Sequence, residues 1–177
     1  MIYMRRYDSP LGGITLASDG KALTGLWFDG QKGFPGFPAE NPGEKLLPIF
    51  AEAGRWLDIY FSGRAPDFTP PLNMEATRFR RAVWEVLLTI PYGRTMTYGQ
   101  IAGAVAKRWG LARMSAQAVG GAVGRNPISL IVPCHRVVGS DGSLTGYAAG
   151  IQRKAELLRL EGVDMRGLFL PRGVPGL

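Results

Sequence analysis

Eight residues, Arg64 to Pro71, divide this chain of 177 before any other pattern is considered. Three of them are proline (Pro66, Pro70 and Pro71), so the stretch sustains neither a helix interior nor a central strand. It has the composition of a linker. The length allows one good core, or a modest core with a small companion. The boundary is expected near residue 74, between an N-terminal α/β domain over 1–74, linker included, and a C-terminal domain over 75–177.

Before the break, residues 1 to about 30 read as strands. Ile14-Thr15-Leu16-Ala17 and Leu23-Thr24-Gly25-Leu26-Trp27-Phe28 flank the turn-like Ser18-Asp19-Gly20-Lys21. Glycine and proline crowd residues 30 to 43. Leu47, Phe50, Trp56, Leu57 and Tyr60 then recur at helical spacing within Glu44 to Phe61, and Ser62-Gly63 stops that helix. After the break, Phe79, Ala82, Val83, Val86, Leu87 and Ile90 mark an amphipathic helix ending at Pro91-Tyr92-Gly93. Thr97-Tyr98-Gly99-Gln100 has the form of a capping box and opens a helix through Ile101, Val105 and Trp109, ended by Gly110. Ser115 caps the next helix, which reaches Gly124-Arg125 before Asn126-Pro127 breaks it, and Ala149 to Glu161 forms a last one before Gly162. Two short capped helices in succession predict a helix-turn-helix, although the connection from Gly110 to Met114 is longer than the tightest versions. The expected fold class is therefore α+β: a small N-terminal α/β domain, with a β-hairpin or meander plus a helix, followed by a mainly helical C-terminal domain.

The helix after Ser115 contains Gly120, Gly121 and Gly124, each costing about 1 kcal/mol relative to alanine. At 100° per residue these glycines share a stripe with Gln117, while Val119, Ala122 and Val123 fall on the opposite side. One side packs on the core and the other admits a close backbone. That backbone belongs either to another helix of the protein or to a nucleic acid pressed against small residues. The formal net charge of +7 suits a polyanionic partner, and Arg78, Arg80, Arg81, Arg94, Lys107, Arg108, Arg113, Arg125 and Arg136 all lie beyond the linker. A scattered basic surface with no partner is the plainer alternative.

Cys134 is the only cysteine and His135 the only histidine, side by side in Pro133-Cys134-His135-Arg136. One Cys excludes an internal disulfide framework, and one Cys with one His cannot close a structural zinc site of the usual ligand types. Each residue alone reads as an ordinary core residue. Together they place a thiol next to a base that can favour the thiolate. Neighbours on a strand point to opposite faces, so cooperation requires the backbone to turn here, or a bridging water. Pro133, which ends Leu130-Ile131-Val132, makes that turn plausible. Glu161 closes the last helix at the end where the dipole disfavours a carboxylate. It forms either a surface pair with Lys154 or the acceptor that orients His135 in a Cys, His, Glu relay. Met1 to Arg6 has no apolar run and no later stretch is long enough to span a bilayer, so a soluble, reducing, cytoplasmic setting without a membrane partner is expected.

Asn126-Pro127-Ile128-Ser129-Leu130-Ile131-Val132-Pro133-Cys134-His135-Arg136-Val137-Val138-Gly139, with Gly146-Tyr147 and Leu157-Leu158-Arg159-Leu160-Glu161-Gly162, closely resembles the O6-alkylguanine-DNA alkyltransferases. The similarity runs from about Phe79 to Gly162, and Ser9-Pro10-Leu11-Gly12 resembles the opening of that family's N-terminal domain. The resemblance implies a monomeric, self-inactivating repair protein for double-stranded DNA, which flips an O6-alkylguanine and moves its alkyl group to a cysteine without cofactor or metal. It implies Cys134 as acceptor, His135 as its activator through a water, and Glu161 as the group that holds His135. Tyr98 is implied to rotate the nucleotide's phosphate and to assist the leaving guanine, and Asn126 to fix the turn before the active-site segment. Cys134, Val137, Ala148, Tyr147 and Val123 are implied to frame the base. Ser115, Gln117, Ala118, Gly120, Gly121, Gly124, Arg125 and Arg136 are implied DNA contacts, the helix entering the minor groove. Gln117 stands where the family commonly has an arginine finger, and Arg113 or Arg125 is placed to compensate. Ser129 stands where some members have a pocket-narrowing proline, which implies room for alkyl groups larger than methyl.

Three other readings compete. A lesion-binding protein of the alkyltransferase-like kind lacks the acceptor cysteine, which is intact here. A cysteine hydrolase using Cys134, His135 and Glu161 leaves the glycine stripe and the basic half without a use. A DNA-binding regulator uses those two and leaves the relay idle.

Overall fold

The computed structural model describes residues 1–38 and 46–171, and the chain divides into two compact units. The first comprises Met1–Met74 together with Pro127–Ile131, and the second Glu75–Asn126 with Val132–Leu177.

In the first unit, β1 (Tyr3–Ser9), β2 (Gly12–Ser18) and β3 (Leu23–Phe28) form an antiparallel meander in the order β1-β2-β3. β2 is central and is buried on both faces. Ile14 and Leu16 alternate with Thr15 and Ala17, as a strand's period of two requires, and all four are at most 3% exposed. The first helix, α1 (Pro48–Phe61), packs against β1 and β2 and buries Ile49, Phe50, Ala53, Trp56, Leu57 and Tyr60. It starts later than the spacing predicts because Pro48, with its fixed φ and missing N–H, occupies the first turn. Glu44 and the end of the glycine- and proline-rich run lie outside the described residues.

In the second unit, α2 (Arg78–Leu87), α3 (Tyr98–Arg108) and α4 (Ala116–Gly124) pack on one another, with α3 and α4 as the helix-turn-helix. Each has a side-chain cap. Thr77 accepts from Arg80 N, Thr97 and Gln100 form the full capping box, and Ser115 accepts from Ala118 N at 3.1 Å. α2 stops three residues short of Ile90, which a tight turn, Ile90 N to Leu87 O at 3.0 Å, still carries into the core. Trp84 is 2% exposed and donates Nε1 to Ala122 O at 2.9 Å, joining α2 to the buried side of α4.

Two very short strands set the site. β4 (Met96–Thr97) directly precedes α3, and β5 (Val137–Val138) directly follows one turn of 3-10 helix over Cys134–Arg136. They pair in parallel, Met96 opposite Val137 and Thr97 opposite Val138. The start of α3 is thereby tied to the Cys-His turn. The final helix, α5 (Ile151–Leu160), packs Ala155 and Leu158 against Val138 and Leu144 and ends with Glu161 as its cap.

Candidate active site

The 3-10 turn removes the geometric objection to Cys134 and His135 acting together. Three residues per turn separate neighbouring side chains by about 120° rather than the opposed directions of a strand. Cys134 is 6% exposed and His135 fully buried. His135 Nε2 meets Glu161 Oε2 at 2.5 Å, so the other ring nitrogen, Nδ1, is the one through which the imidazole can exchange a proton with the thiol.

Glu161 carries two further hydrogen bonds. Arg136 Nε donates to its Oε1 at 2.8 Å, and so does Gly93 N at 3.0 Å. A carboxylate at a helix C-terminus is thus compensated by two cation-capable side chains and a backbone donor. Burial pushes the Glu161 carboxyl up, but the hydrogen bond from His135 and then Arg136 outweigh it and hold it at about 2. Burial pushes His135 below its ordinary value, against the pull of Glu161, so the resting imidazole is neutral. Gly93 has φ +78, and a Cβ there would sit 3.1 Å from Glu161 O, so glycine is what allows this approach.

One sequence expectation is corrected here, and one open alternative is closed. Arg136 is not a DNA contact: it is 8% exposed, its Nη1 donates to Ile90 O at 2.8 Å, and its guanidinium lies over the Tyr92 ring. Its charge is spent on Glu161. Nor does Lys154 pair with Glu161 at the surface. Lys154 is fully buried and donates Nζ to Thr145 O at 2.9 Å. Burial draws it down to about 8, with the charge of Cys134 pulling the other way.

The Tyr98 hydroxyl donates to the same Thr145 O at 3.1 Å. Burial, reinforced by Cys134, raises Tyr98, so it remains a proton donor. Gly146, at φ +76, comes directly after Thr145 in the chain, and a Cβ there would come within 2.9 Å of the Tyr98 oxygen. Tyr147 is 7% exposed with its ring edge-on to His135, centroids 6.4 Å apart. Val137 is fully buried, Ala148 half-buried, and Val123 is buried on the inner side of α4 with Val119 and Ala122. Asn126 Nδ2 donates to Val132 O at 2.8 Å, across the segment that leads to Cys134.

On the opposite side of α4, Ser115, Gln117, Ala118 and Gly124 are exposed and Gly120 and Gly121 half-exposed, the division the periodicity predicts. A Cβ on Gly124 would meet nothing within 4 Å, and one on Gly120 only the Tyr98 ring at 3.8 Å. Arg125 is exposed and turns back to donate Nη1 to Gly121 O at 3.0 Å. Lys154, Thr145 and Gly93 escaped the sequence reading as site residues, and Arg136 was given a place on the DNA face instead of beside Glu161. For Lys154, a lysine three residues after the helix-opening Ile151 and on the same side as buried Leu157 and Leu158 was the available signal.

An imidazole oriented by a buried carboxylate beside a buried thiol, on a unit that also holds a helix-turn-helix, defines a protein of the cysteine-nucleophile class. Residues 2–74 match the family model described as "6-O-methylguanine DNA methyltransferase, ribonuclease-like domain", and residues 78–163 that described as "6-O-methylguanine DNA methyltransferase, DNA binding domain". The chain belongs to the 6-O-methylguanine DNA methyltransferase family. It is 46% identical over 164 residues to the methylated-DNA--protein-cysteine methyltransferase of Mycobacterium leprae, covering 91% of this chain and 93% of that one. It is 44% identical over 165 residues to the protein of the same name from Methanosarcina barkeri, covering 93% and 100%. Among solved structures, Mycobacterium tuberculosis OGT in complex with DNA matches with a TM-score of 0.76 and 40% identity, covering 94% of each chain.

Proposed function

We propose that this chain repairs alkylated double-stranded DNA by direct reversal, moving the alkyl group of an O6-alkylguanine to Cys134 in a single turnover. The Cys134 Sγ proton passes to His135, through a water where the two do not touch, and Glu161 stabilises the resulting imidazolium. The thiolate attacks the alkyl carbon, the S–C bond forms as the C–O6 bond breaks, and the electron pair returns to guanine. The ring nitrogen that gains charge takes up one proton, so protons balance without metal, nucleotide or separate methyl donor. Tyr98, kept protonated, supplies a hydrogen bond to the leaving base. A thioether is not hydrolysed by water, so each molecule acts once.

The observation that carries this reading is the buried Cys134, His135 and Glu161 group, with His135 bonded to a carboxylate that stays ionised. The open side of α4 supports the DNA part. The protein's own packing does not demand glycine at 120 or 124, whereas a groove pressed against the helix does. Ser115, Gln117, Ala118, Gly120, Gly121, Gly124 and Arg125 form that contact face, and Val123, Val137, Tyr147 and Ala148 surround the flipped base. A groove of about 680 Å3 along α3, bordered by Lys107 and Arg113, extends the basic surface beside α4. Asn126 holds the turn between α4 and the active-site segment. The protein acts as a monomer with residues 1–74 and 75–177 as its two domains, Pro127–Ile131 of the second clustering with the first. Among the described residues no helix is long and apolar enough to cross a membrane, and a reaction that consumes a reduced thiol supports a cytoplasmic setting.

The test is the intact mass of the protein after mixing with a duplex carrying one O6-methylguanine, with Cys134→Ala as control. A gain of one methylene on the Cys134 peptide, absent from the control, is the expected outcome. Tight lesion binding with no mass change would overturn transfer and leave lesion recognition alone.

A further inference from the structure

Five residues, ending three positions before the acceptor, leave the second unit and return. Pro127–Ile131 cluster with the first unit, and Val132 re-enters the second. Within the first unit the excursion is held along β3 by a single parallel bridge. Leu26 N donates to Pro127 O at 2.9 Å, Ser129 N donates to Leu26 O at 3.1 Å, and Leu26 bridges Ile128 in parallel register. One buried side chain adds to this backbone grip. Gln31, 5% exposed, donates Nε2 to Ser129 Oγ at 3.0 Å. Its Oε1 accepts from Phe28 N at 3.1 Å and lies 3.3 Å from the Ser129 hydroxyl. Gln31 therefore joins the end of β3 to a residue 98 positions along the chain.

The backbone just beyond Ser129 needs holding. Leu130 has φ +69, the one non-glycine residue in the left-handed region among those described. Ile131 N donates to Ser129 O at 2.9 Å, closing a three-residue γ-turn over Leu130. Turns of this sign are strained and persist where their surroundings over-determine them. A second γ-turn, of the relaxed sign, comes next: Pro133 has φ −82 and ψ 64, and Cys134 N donates to Val132 O at 2.8 Å. Two consecutive turns thus precede Cys134 in the chain, and the strained one begins at Ser129.

We propose that Gln31 is a positioning residue for Cys134: by holding Ser129 it keeps the Leu130 turn closed and fixes the angle at which Sγ meets the alkyl carbon. The inference rests on Cys134 being the alkyl acceptor, and it gives the first unit a part in the rate of transfer. It also assigns the Ser129 hydroxyl to the hold on this segment.

The test compares the full chain with Gln31→Met, which keeps length and apolar bulk but removes the amide, with Ser129→Ala, and with the double variant. Wild type is first assayed for methyl transfer from an O6-methylguanine duplex, so failure of the proposed function shows there alone. The expected result is a transfer rate constant at saturating duplex lowered about tenfold in each single variant and no further in the double. Duplex affinity stays unchanged, and faster hydrogen exchange is confined to amides between Leu130 and His135. Transfer at the wild-type rate overturns the inference, as does a loss carried wholly by duplex affinity. Exchange that rises evenly through the first unit also overturns it, because Gln31 would then be structural only. If wild type transfers nothing, exchange alone decides: selective loss of protection at 130–135 supports the hold, and unchanged protection removes it.

Discussion

Two acceptors organise the buried side of the site, and they do it in opposite ways. At Glu161 a full negative charge gathers His135, Arg136 and the Gly93 N–H. At Thr145 a neutral carbonyl oxygen gathers the Tyr98 hydroxyl and the Lys154 ammonium. The first cluster is balanced in charge and holds its form across the neutral range. The second leaves a buried cation on an uncharged partner, drawn down to about 8 by burial and supported by charge on Cys134. Charge on sulfur and charge on Lys154 therefore sustain each other, and alkylation removes one of them. One end of the site is built to stay fixed, and the other is conditional on the state of the thiol.

Glu161→Gln tests the fixed end and has the largest expected effect. It leaves the Arg136 guanidinium buried without its counter-charge, which costs about 3–5 kcal/mol of stability in denaturant unfolding. A cost below about 1 kcal/mol would erase the distinction between the two clusters. The pH dependence is smaller and separates the same residues. Glu161 titrates at about 2 in the fold against 4.5 for the free group, so its contribution is complete above 4.5 and is lost as pH falls toward 2. His135 is held below 6.5, so the unfolded chain takes up that proton first and stability already declines as pH drops below 6.5. Urea unfolding from pH 7 to 2 should show both phases, and Glu161→Gln should lack the lower one.

The conditional end should respond in the other direction. Lys154→Met removes a buried charge with a neutral partner, so stability at pH 7 is kept or raised while the transfer rate constant falls roughly tenfold. In wild type, Lys154 is uncharged in the fold from about 8 upward while the unfolded chain binds that proton until 10.5, so stability rises across this window. The variant should be flat there. Parallel losses of stability and rate would mean that Lys154 belongs with the fixed cluster. The smallest effect is expected at Gly124→Ala, outside both clusters. Its Cβ meets open space, so the helix gains roughly 0.5 kcal/mol, while duplex affinity falls. Unchanged affinity would detach the glycine side of α4 from DNA.

Much of this was legible in the chain. The Thr97-Gln100 box and the Ser115 cap are local hydrogen-bond patterns that sequence spacing specifies almost completely. The two sides of α4 follow from 3.6-residue periodicity, and the Cys-His pair needed no geometry to be noticed. The reading failed where a residue's meaning depends on distant partners. Arg136 counted as one more surface cation because nothing nearby in the chain announces that Glu161, 25 residues on, is buried beside it. The excursion of Pro127–Ile131 onto β3 is invisible for the same reason. β4 and β5, two residues each, are too short to carry any alternation.

That shortest ladder sets a limit on how the chain can change length. Met96–Val137 and Thr97–Val138 act as a vernier between two scales, one ending in Tyr98 and the other beginning at Cys134. An added or deleted residue between 96 and 98, or between 134 and 138, slides one scale by a full division and swings a side chain to a new face. The Gly110 to Met114 connection has no such mark, so lengthening of this domain is confined to stretches of that kind.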